Sequence, residues 1–146
     1  YMSGTSTTVF NPGGTVSRQQ VWMILARMEG VDPSDMEAAK AWAMAAGISD
    51  GSAPGAAVTR QQLAVLLYRC AGSPESDSAI LAEYNDGKAV AEYAVSAVSW
   101  ALETGILTGT DTATISPEGT ATRAQTAVIL GRYLSQLNQE NTDASV

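Results

Sequence analysis

VSRQQ at residues 16–20 recurs as VTRQQ at residues 58–62 and as ATRAQ at residues 121–125. In each copy a Ser or Thr stands three residues before a Gln, and this pair can satisfy two backbone donors at a helix start reciprocally. Each copy therefore predicts a helix that begins beside its arginine, which is Arg18, Arg60 or Arg123. Three such starts indicate a chain built from tandem repeats.

The residues that follow each copy continue with helical periodicity. Apolar or packing residues recur at i, i+3, i+4 and i+7, the stripe of a helix that packs on a core. The stripes are Val21, Ile24, Leu25 and Met28; Leu63, Leu66, Leu67 and Cys70; and Thr126, Ile129, Leu130 and Tyr133. Nine residues after each motif arginine stands another, where a cation suits the helix macrodipole, at Arg27, Arg69 and Arg132.

A second kind of helix is predicted before the motifs. One runs from Ser34 to Ala46 and one from Glu92 to Thr104, and they align at an offset of 58 residues with Trp42 and Trp100 in register. Left-handed glycines are expected to end the helices of both kinds, at Gly30, Gly47, Gly72 and Gly105. The last helix has no such stop and is expected to run to about Leu137.

The repeats divide the chain into units of an all-α fold. Residues 1–30 are interpreted as the second half of repeat 1, residues 31–72 as repeat 2 and residues 73–137 as repeat 3. The loop of repeat 2 is five residues shorter than that of repeat 3. Residues 138–146 are polar and are expected to form a disordered tail.

Composition excludes several classes of function. The chain has 8 Lys plus Arg against 15 Asp plus Glu, a net charge of -7, which disfavours nucleic acid and an anionic membrane surface as partners. It has no His and a single Cys, Cys70, so we predict no disulfide, no metal site, no cofactor and no enzyme activity. Apolar stretches are too short to cross a bilayer and no signal peptide is present. Since Tyr1 is not an initiator, the chain is expected to be a piece of a larger protein.

A further set of residues runs through the third repeat: Tyr84-Asn85-Asp86, Tyr93-Ala94, Gly105-Ile106, Gly109, Ile115-Ser116-Pro117 and the motif at 122–125. Together with the repeated motifs, this pattern resembles the S-layer homology family over about 135 residues. The resemblance implies three repeats in a pseudo-threefold helical prism, here without the first helix of repeat 1. It also implies an extracellular module that binds secondary cell wall polysaccharide, often pyruvylated, in grooves between repeats.

The resemblance also implies roles for particular residues. The motif arginines Arg18, Arg60 and Arg123 would line the grooves, and Asp86, Gly4 and Gly109 would shape the pockets. Tyr93 fills a position where the family tends to place an aromatic residue. One or two working pockets are expected, and the fullest set of parts is Arg123, Asp86 and Tyr93. A guanidinium suits this role because it matches a carboxylate with two parallel hydrogen bonds.

Other interpretations of the same residues remain open at this point. Trp42 and Trp100 pack between helices or present a platform to a sugar ring. The motif arginines bind ligand or are solvated surface residues. The alternative function is a protein interaction or self-assembly module, in which a partner, a second copy or the rest of a larger surface protein fills the place of the absent helix.

Overall fold

The computed structural model describes residues 14–108 and 114–144, with side chains up to residue 136. Those residues form helices, and a few isolated β-bridges pair the segments next to the helix starts. The predicted all-α class is confirmed. The α-helices among them are α1 (Arg18–Met28), α2 (Met36–Ala45), α3 (Arg60–Cys70), α4 (Val95–Glu103) and α5 (Arg123–Ala144). Short 3₁₀ helices cover Ser78–Glu83, Gly87–Ala89 and Glu92–Ala94.

The three motifs start helices as predicted. Ser17 and Thr59 each accept the backbone N–H of the glutamine three residues on, whose side-chain oxygen accepts the N–H of the capping residue in return. Thr122 and Gln125 exchange the same two bonds, at 3.0 and 3.1 Å. Each of these capping boxes contributes about 1 kcal/mol to the stability of its helix.

A ring of backbone hydrogen bonds joins the three helix starts. The N–H of each motif arginine donates to the carbonyl four residues before the next motif arginine. The bonds run from Arg18 to Ala56 (3.0 Å), from Arg60 to Gly119 (2.9 Å) and from Arg123 to Gly14 (2.8 Å). Because the third bond returns to the first segment, the three motifs are equivalent members of a closed ring. The helical prism itself stays a prediction.

The helices of the second kind pack across repeats, with α2 on α1 and α4 on α3. The leading helix of a repeat thus lies on the second helix of the repeat before it. Trp100 of α4 contacts Tyr68 of α3 and Tyr133 of α5, with ring centroids 5.7 and 6.4 Å apart. Trp100 is buried in these contacts and Trp42 packs half-buried against the same core, so both tryptophans have the packing role.

The predicted stripes form the core. Nearly all of their residues are buried, and the two at the ends of the first and second stripes, Met28 and Cys70, are half-buried against the others. A fully buried leucine or isoleucine side chain contributes about 2 kcal/mol to stability. The stripes are therefore the main source of free energy that holds the helices together.

Most helix boundaries agree with the sequence. The predicted glycine stops are left-handed, with φ of +84° at Gly30 and +90° at Gly72. The start of α2 differs, because the cap is Asp35 and not Ser34. The Asp35 carboxylate accepts the N–H of Ala38 at 2.8 Å, and a negative charge there also interacts with the helix dipole. Spacing alone cannot choose between two adjacent residues that both cap well.

Two further boundaries differ from the sequence analysis. The helix predicted from Glu92 begins as a 3₁₀ segment, and α-helix starts only at Val95. Helix α5 continues to Ala144, where a disordered tail was expected from residue 138. No Gly or Pro stands between residues 132 and 144, so each added residue gains one hydrogen bond without a stop signal. Residues 145 and 146 lie outside the described residues.

Candidate functional site

Two surface grooves lie between neighbouring repeats. The first groove has a volume of about 370 Å³, and its lining includes Arg18, Gln62, Val65, Leu66, Arg69 and Tyr93. The second groove has a volume of about 340 Å³, and its lining includes Arg60, Thr108, Gln125, Val128, Ile129 and Arg132. In each groove the motif arginine of one repeat faces the second helix of the next repeat.

The two grooves are copies of one site. Five of their lining positions correspond in the register that the motifs define, namely Arg18 and Arg60, Gln62 and Gln125, Val65 and Val128, Leu66 and Ile129, and Arg69 and Arg132. Each groove therefore holds two arginines, a glutamine and an aliphatic floor. Tyr93, which comes from the leading helix of repeat 3, lines only the first groove.

The motif arginine of the second groove is buried. Arg60 is 5% exposed, and its Nε donates to the Ile115 carbonyl at 2.9 Å while its Nη2 donates to the Thr108 carbonyl. Burial lowers the pKa of the Arg60 guanidinium, and the nearby Asp86 carboxylate partly offsets that effect. The side chain stays a cation, since arginine is protonated in proteins. Arg60 thus holds two points of the loop that enters α5.

The motif arginine of the first groove makes the same kind of contact. The Nε of Arg18 donates to the Ser52 carbonyl at 3.0 Å, and Nη2 donates to the Ser49 hydroxyl at 3.3 Å. An ion pair at 3.9 Å joins Arg18 to Asp50, whose side chain is exposed, and the guanidinium lies 5.8 Å from the ring centre of Trp22. Arg18 is consequently held to the shortened loop of repeat 2.

Asp86 holds the same loop as Arg60, from the other side. Its two carboxylate oxygens accept the N–H groups of Ile115 and Ser116, both at 2.8 Å. Burial raises the pKa of the Asp86 carboxyl, but these two N–H donors and the Arg60 charge outweigh burial and hold the pKa below its usual value. The backbone of Ile115 is therefore fixed at its N–H by Asp86 and at its carbonyl by Arg60.

The structure groups the candidate residues differently from the sequence analysis. Asp86 lies beside Arg60, and Tyr93 lines the first groove with Arg18, so the expected set of Arg123, Asp86 and Tyr93 is wrong as a group. Arg123 is 6% exposed. The remaining candidates, Gly4 and Gly109, lie outside the described residues. The grouping failed because the loop of one repeat packs on the arginine of the preceding repeat.

Sequence reasoning assigned no binding role to Arg69 and Arg132. Both are exposed and both line a groove; Arg69 lies in the last turn of α3, whereas Arg132 lies within α5, which continues beyond it. Their recurrence nine residues after the motif arginines was visible, but it was explained by the helix macrodipole alone. Their position opposite the preceding repeat depends on the ring of repeats, which spacing within one repeat does not show.

Cys70 and the acidic side chains of the described residues are the other candidates for reactive or metal-binding groups. Burial raises the pKa of the Cys70 thiol to about 11, so it is protonated at neutral pH and is a poor nucleophile. Over residues 14–108 and 114–144, no three His, Cys, Asp or Glu side chains are placed to hold a metal ion. In the same part of the chain no helix is both long and apolar enough to span a bilayer.

Comparisons with known proteins found one family match and a similar fold, while the division into repeats stays a prediction. Residues 83–127, which lie within the predicted third repeat, match the S-layer homology domain family. A solved chain of the undecaheme cytochrome from the S-layer of Carboxydothermus ferrireducens has a similar fold, with a TM-score of 0.61 and 17% sequence identity. The likeness covers 87% of this chain but only 18% of the cytochrome chain. No curated protein sequence matches significantly. Residues 83–127 are thus identified as an S-layer homology domain, and the structural likeness shows a shared fold over most of the chain.

Proposed function

We propose that this chain is a cell-wall anchoring module that binds an anionic, pyruvylated secondary cell wall polysaccharide in its inter-repeat grooves. S-layer homology domains generally anchor proteins to the cell wall or the S-layer, which indicates association with the cell surface. The observation that carries the proposal is the duplicated groove, in which two arginines face each other over an aliphatic floor.

The charge distribution suits an acidic polymer. The chain carries a net charge of -7, yet each groove gathers two of its eight basic residues, and Asp50, which pairs with Arg18, is the one acidic residue that lines the first groove. A pyruvyl ketal places a carboxylate on a sugar, and a guanidinium binds a carboxylate through two parallel hydrogen bonds. Two cations in a groove are enough to attract such a group locally, because charges beyond about 10 Å are largely screened at moderate salt.

The shape and lining of the grooves suit a sugar unit. Volumes of about 340 and 370 Å³ lie at the lower end of the range for small-molecule sites, roughly 300 to 1,000 Å³. The exposed phenol of Tyr93 gives the first groove an aromatic wall with a polar tip, and the exposed Val128 gives the second groove an apolar surface for the C–H face of a ring. The side-chain oxygens of Gln62 and Gln125 already accept the capping N–H groups, and their amide NH2 groups can donate to hydroxyl groups of a sugar.

Co-sedimentation with three wall preparations tests the proposal. Intact walls, walls treated with mild acid to cleave the ketals, and walls stripped of polysaccharide are each mixed with the chain at moderate salt. We expect pelleting with intact walls, and little with the other two because the carboxylate or the whole polymer has been removed. Equal pelleting with intact and stripped walls would contradict polysaccharide anchoring. Loss only with stripped walls would keep the anchor but remove the pyruvyl group as its ligand.

One observation favours the alternative, a protein interaction or self-assembly module. Val65 and Val128 occupy the same position of their repeats, but Val65 is 6% exposed and Val128 is 51% exposed. A partner helix packed on α5 would cover Val128 in the same way that the segment Glu92–Ala94, which precedes α4, covers Val65. Sedimentation equilibrium of the chain discriminates, since self-assembly through this face predicts a dimer that Val128→Asp returns to monomer.

A further inference from the structure

The side-on edge of each groove's motif arginine is already occupied. That edge consists of Nε and Nη2, the two donors that bind a carboxylate in parallel. In Arg60 they donate to two loop carbonyls, and in Arg18 they donate to the Ser52 carbonyl and the Ser49 hydroxyl. A carboxylate could take this edge only by displacing the loop, and in Arg60 the edge is also buried.

The second arginine of each groove is held in the opposite way. The Nη1 of Arg69 donates to the Ile48 carbonyl at 3.1 Å, and the Nη1 of Arg132 donates to the Thr108 hydroxyl at 3.4 Å. Within the described residues, these are their only protein partners, and both side chains are exposed. Each guanidinium is thus oriented through one terminal nitrogen, with its side-on edge turned away from that anchor.

The surroundings of these two arginines complete a binding site. Arg69 shares the first groove with the exposed phenol of Tyr93, and Arg132 shares the second groove with the exposed Val128. Each arginine lies one helical turn or so after the floor residues Val65 and Leu66 or Val128 and Ile129. A sugar ring placed against the exposed Tyr93 or Val128 would bring its acidic substituent within reach of the guanidinium in the same groove.

We propose that Arg69 and Arg132 are the ligand-contacting arginines, which bind the carboxylate of an acidic sugar through their side-on edges. Arg18 and Arg60 are then positioning residues that fix the loops forming the groove walls. This inference rests on the proposed anchoring function and names the groups that perform it. It also gives two equivalent sites within the described residues, because both grooves hold such an arginine.

Calorimetric titration with a soluble fragment of the wall polysaccharide tests this assignment. We expect Arg69→Gln and Arg132→Gln each to remove one of two equivalent sites, so the stoichiometry falls by about half. The double variant should bind at least about 10-fold more weakly, since hydrogen bonds to charged groups are lost at both sites. Double replacement by lysine should restore only part of the affinity, because lysine keeps the charge but not the fork.

Lys88→Gln is the matched control, since Lys88 is exposed, carries the same charge and lines neither groove. This variant should bind as the wild type does, and all variants should keep the wild-type unfolding temperature. If the double glutamine variant binds with wild-type affinity while the wild type still distinguishes intact from stripped walls, the assignment is wrong but the anchoring function stands. A binding loss matched by a fall in unfolding temperature would also overturn it, in favour of a structural role. If the wild type does not distinguish the walls, the proposed function itself fails.

Discussion

The two grooves use the same residues in different surroundings. In the first groove, Val65 is covered because α3 packs against the segment Glu92–Ala94 and α4, and Tyr93 closes one side. In the second groove the equivalent Val128 is half exposed. The loops differ too, since Asp86 supports the loop of the second groove. The residues of a repeat thus determine the lining of a groove, whereas the neighbouring repeats determine how closed and how rigid it is.

The largest effect is expected at Gly87, which follows Asp86 on the supporting segment of the second groove. A Cβ at Gly87 would lie 2.0 Å from the Leu81 carbonyl oxygen, which is part of the backbone and cannot rotate away. Gly87→Ala should therefore lower the free energy of unfolding by about 3 kcal/mol, the upper range for overpacking. Gly55→Ala, in the shortened loop beside the first groove, is the control because nothing lies within 4 Å of its Cβ position. Urea denaturation measures the free energy of unfolding of both variants. Equal losses would mean that the backbone around Gly87 shifts to make room for the added methyl group.

Replacing the motif arginine should also lower the free energy of unfolding more in the second groove than in the first. Arg60→Ala leaves the carbonyls of Ile115 and Thr108 without their donors inside the protein, which should cost about 2 to 3 kcal/mol. Arg18→Ala should cost only about 1 kcal/mol, because the Ser49 hydroxyl keeps a second partner in the Gly51 N–H and the Asp50 side chain of the ion pair is exposed. Denaturant titration of both variants decides. A larger loss of stability for Arg18→Ala would mean that the loop of the first groove, and not that of the second, depends more on its arginine.

Val65 and Val128, which occupy the same position of their repeats, test how much the segment before α4 shields the first groove. Val65→Ala removes buried methyl groups and should cost about 1.5 kcal/mol, between the typical values for smaller and larger core truncations. Val128→Ala should change stability by less than about 0.5 kcal/mol, as expected for an exposed site. If Val128→Ala proves as costly as Val65→Ala under the same conditions, then the face of α5 is covered in solution.

The smallest effect concerns pH. Because the folded-state pKa of Asp86 lies below its usual value near 3.9, its carboxylate stabilises the fold above about pH 4. That stabilisation is lost as the pH falls through the folded-state pKa. Asp86→Asn should therefore be less stable than the wild type at neutral pH, and its stability should fall less steeply below about pH 4. Unfolding midpoints at several acidic pH values measure the two slopes, and parallel slopes would remove Asp86 as the cause.

Helix starts and core positions were predictable because they depend on residues close in sequence. Ser17 and Thr59 cap through a glutamine three residues away, and the stripes follow the helical period. The caps of α2 show the limit of such reasoning. Ser34 and Asp35 are adjacent and both suit the position, and the choice between them rests on a backbone angle that the sequence does not show.

The site was harder to predict because its contacts join residues far apart in sequence, within a repeat and between repeats. Asp86 bonds to Ile115 and Ser116, about thirty residues on, and Arg60 bonds to the same loop from a different repeat. A motif identifies which residues recur but not which copy they face. Arg69 and Arg132 were recognised as recurrent, yet only the ring of repeats places them opposite a preceding motif arginine.

The ring of backbone bonds also sets the smallest unit that can fold. A linear stack of repeats can lose its terminal unit, because each unit contacts only its neighbours. Here the bond from Arg123 to Gly14 ties the last repeat to the first, so removing any one of them breaks two junctions together. Removing a whole repeat from either end would thus not yield a shorter folded unit, and cleavage in one loop would loosen both grooves simultaneously.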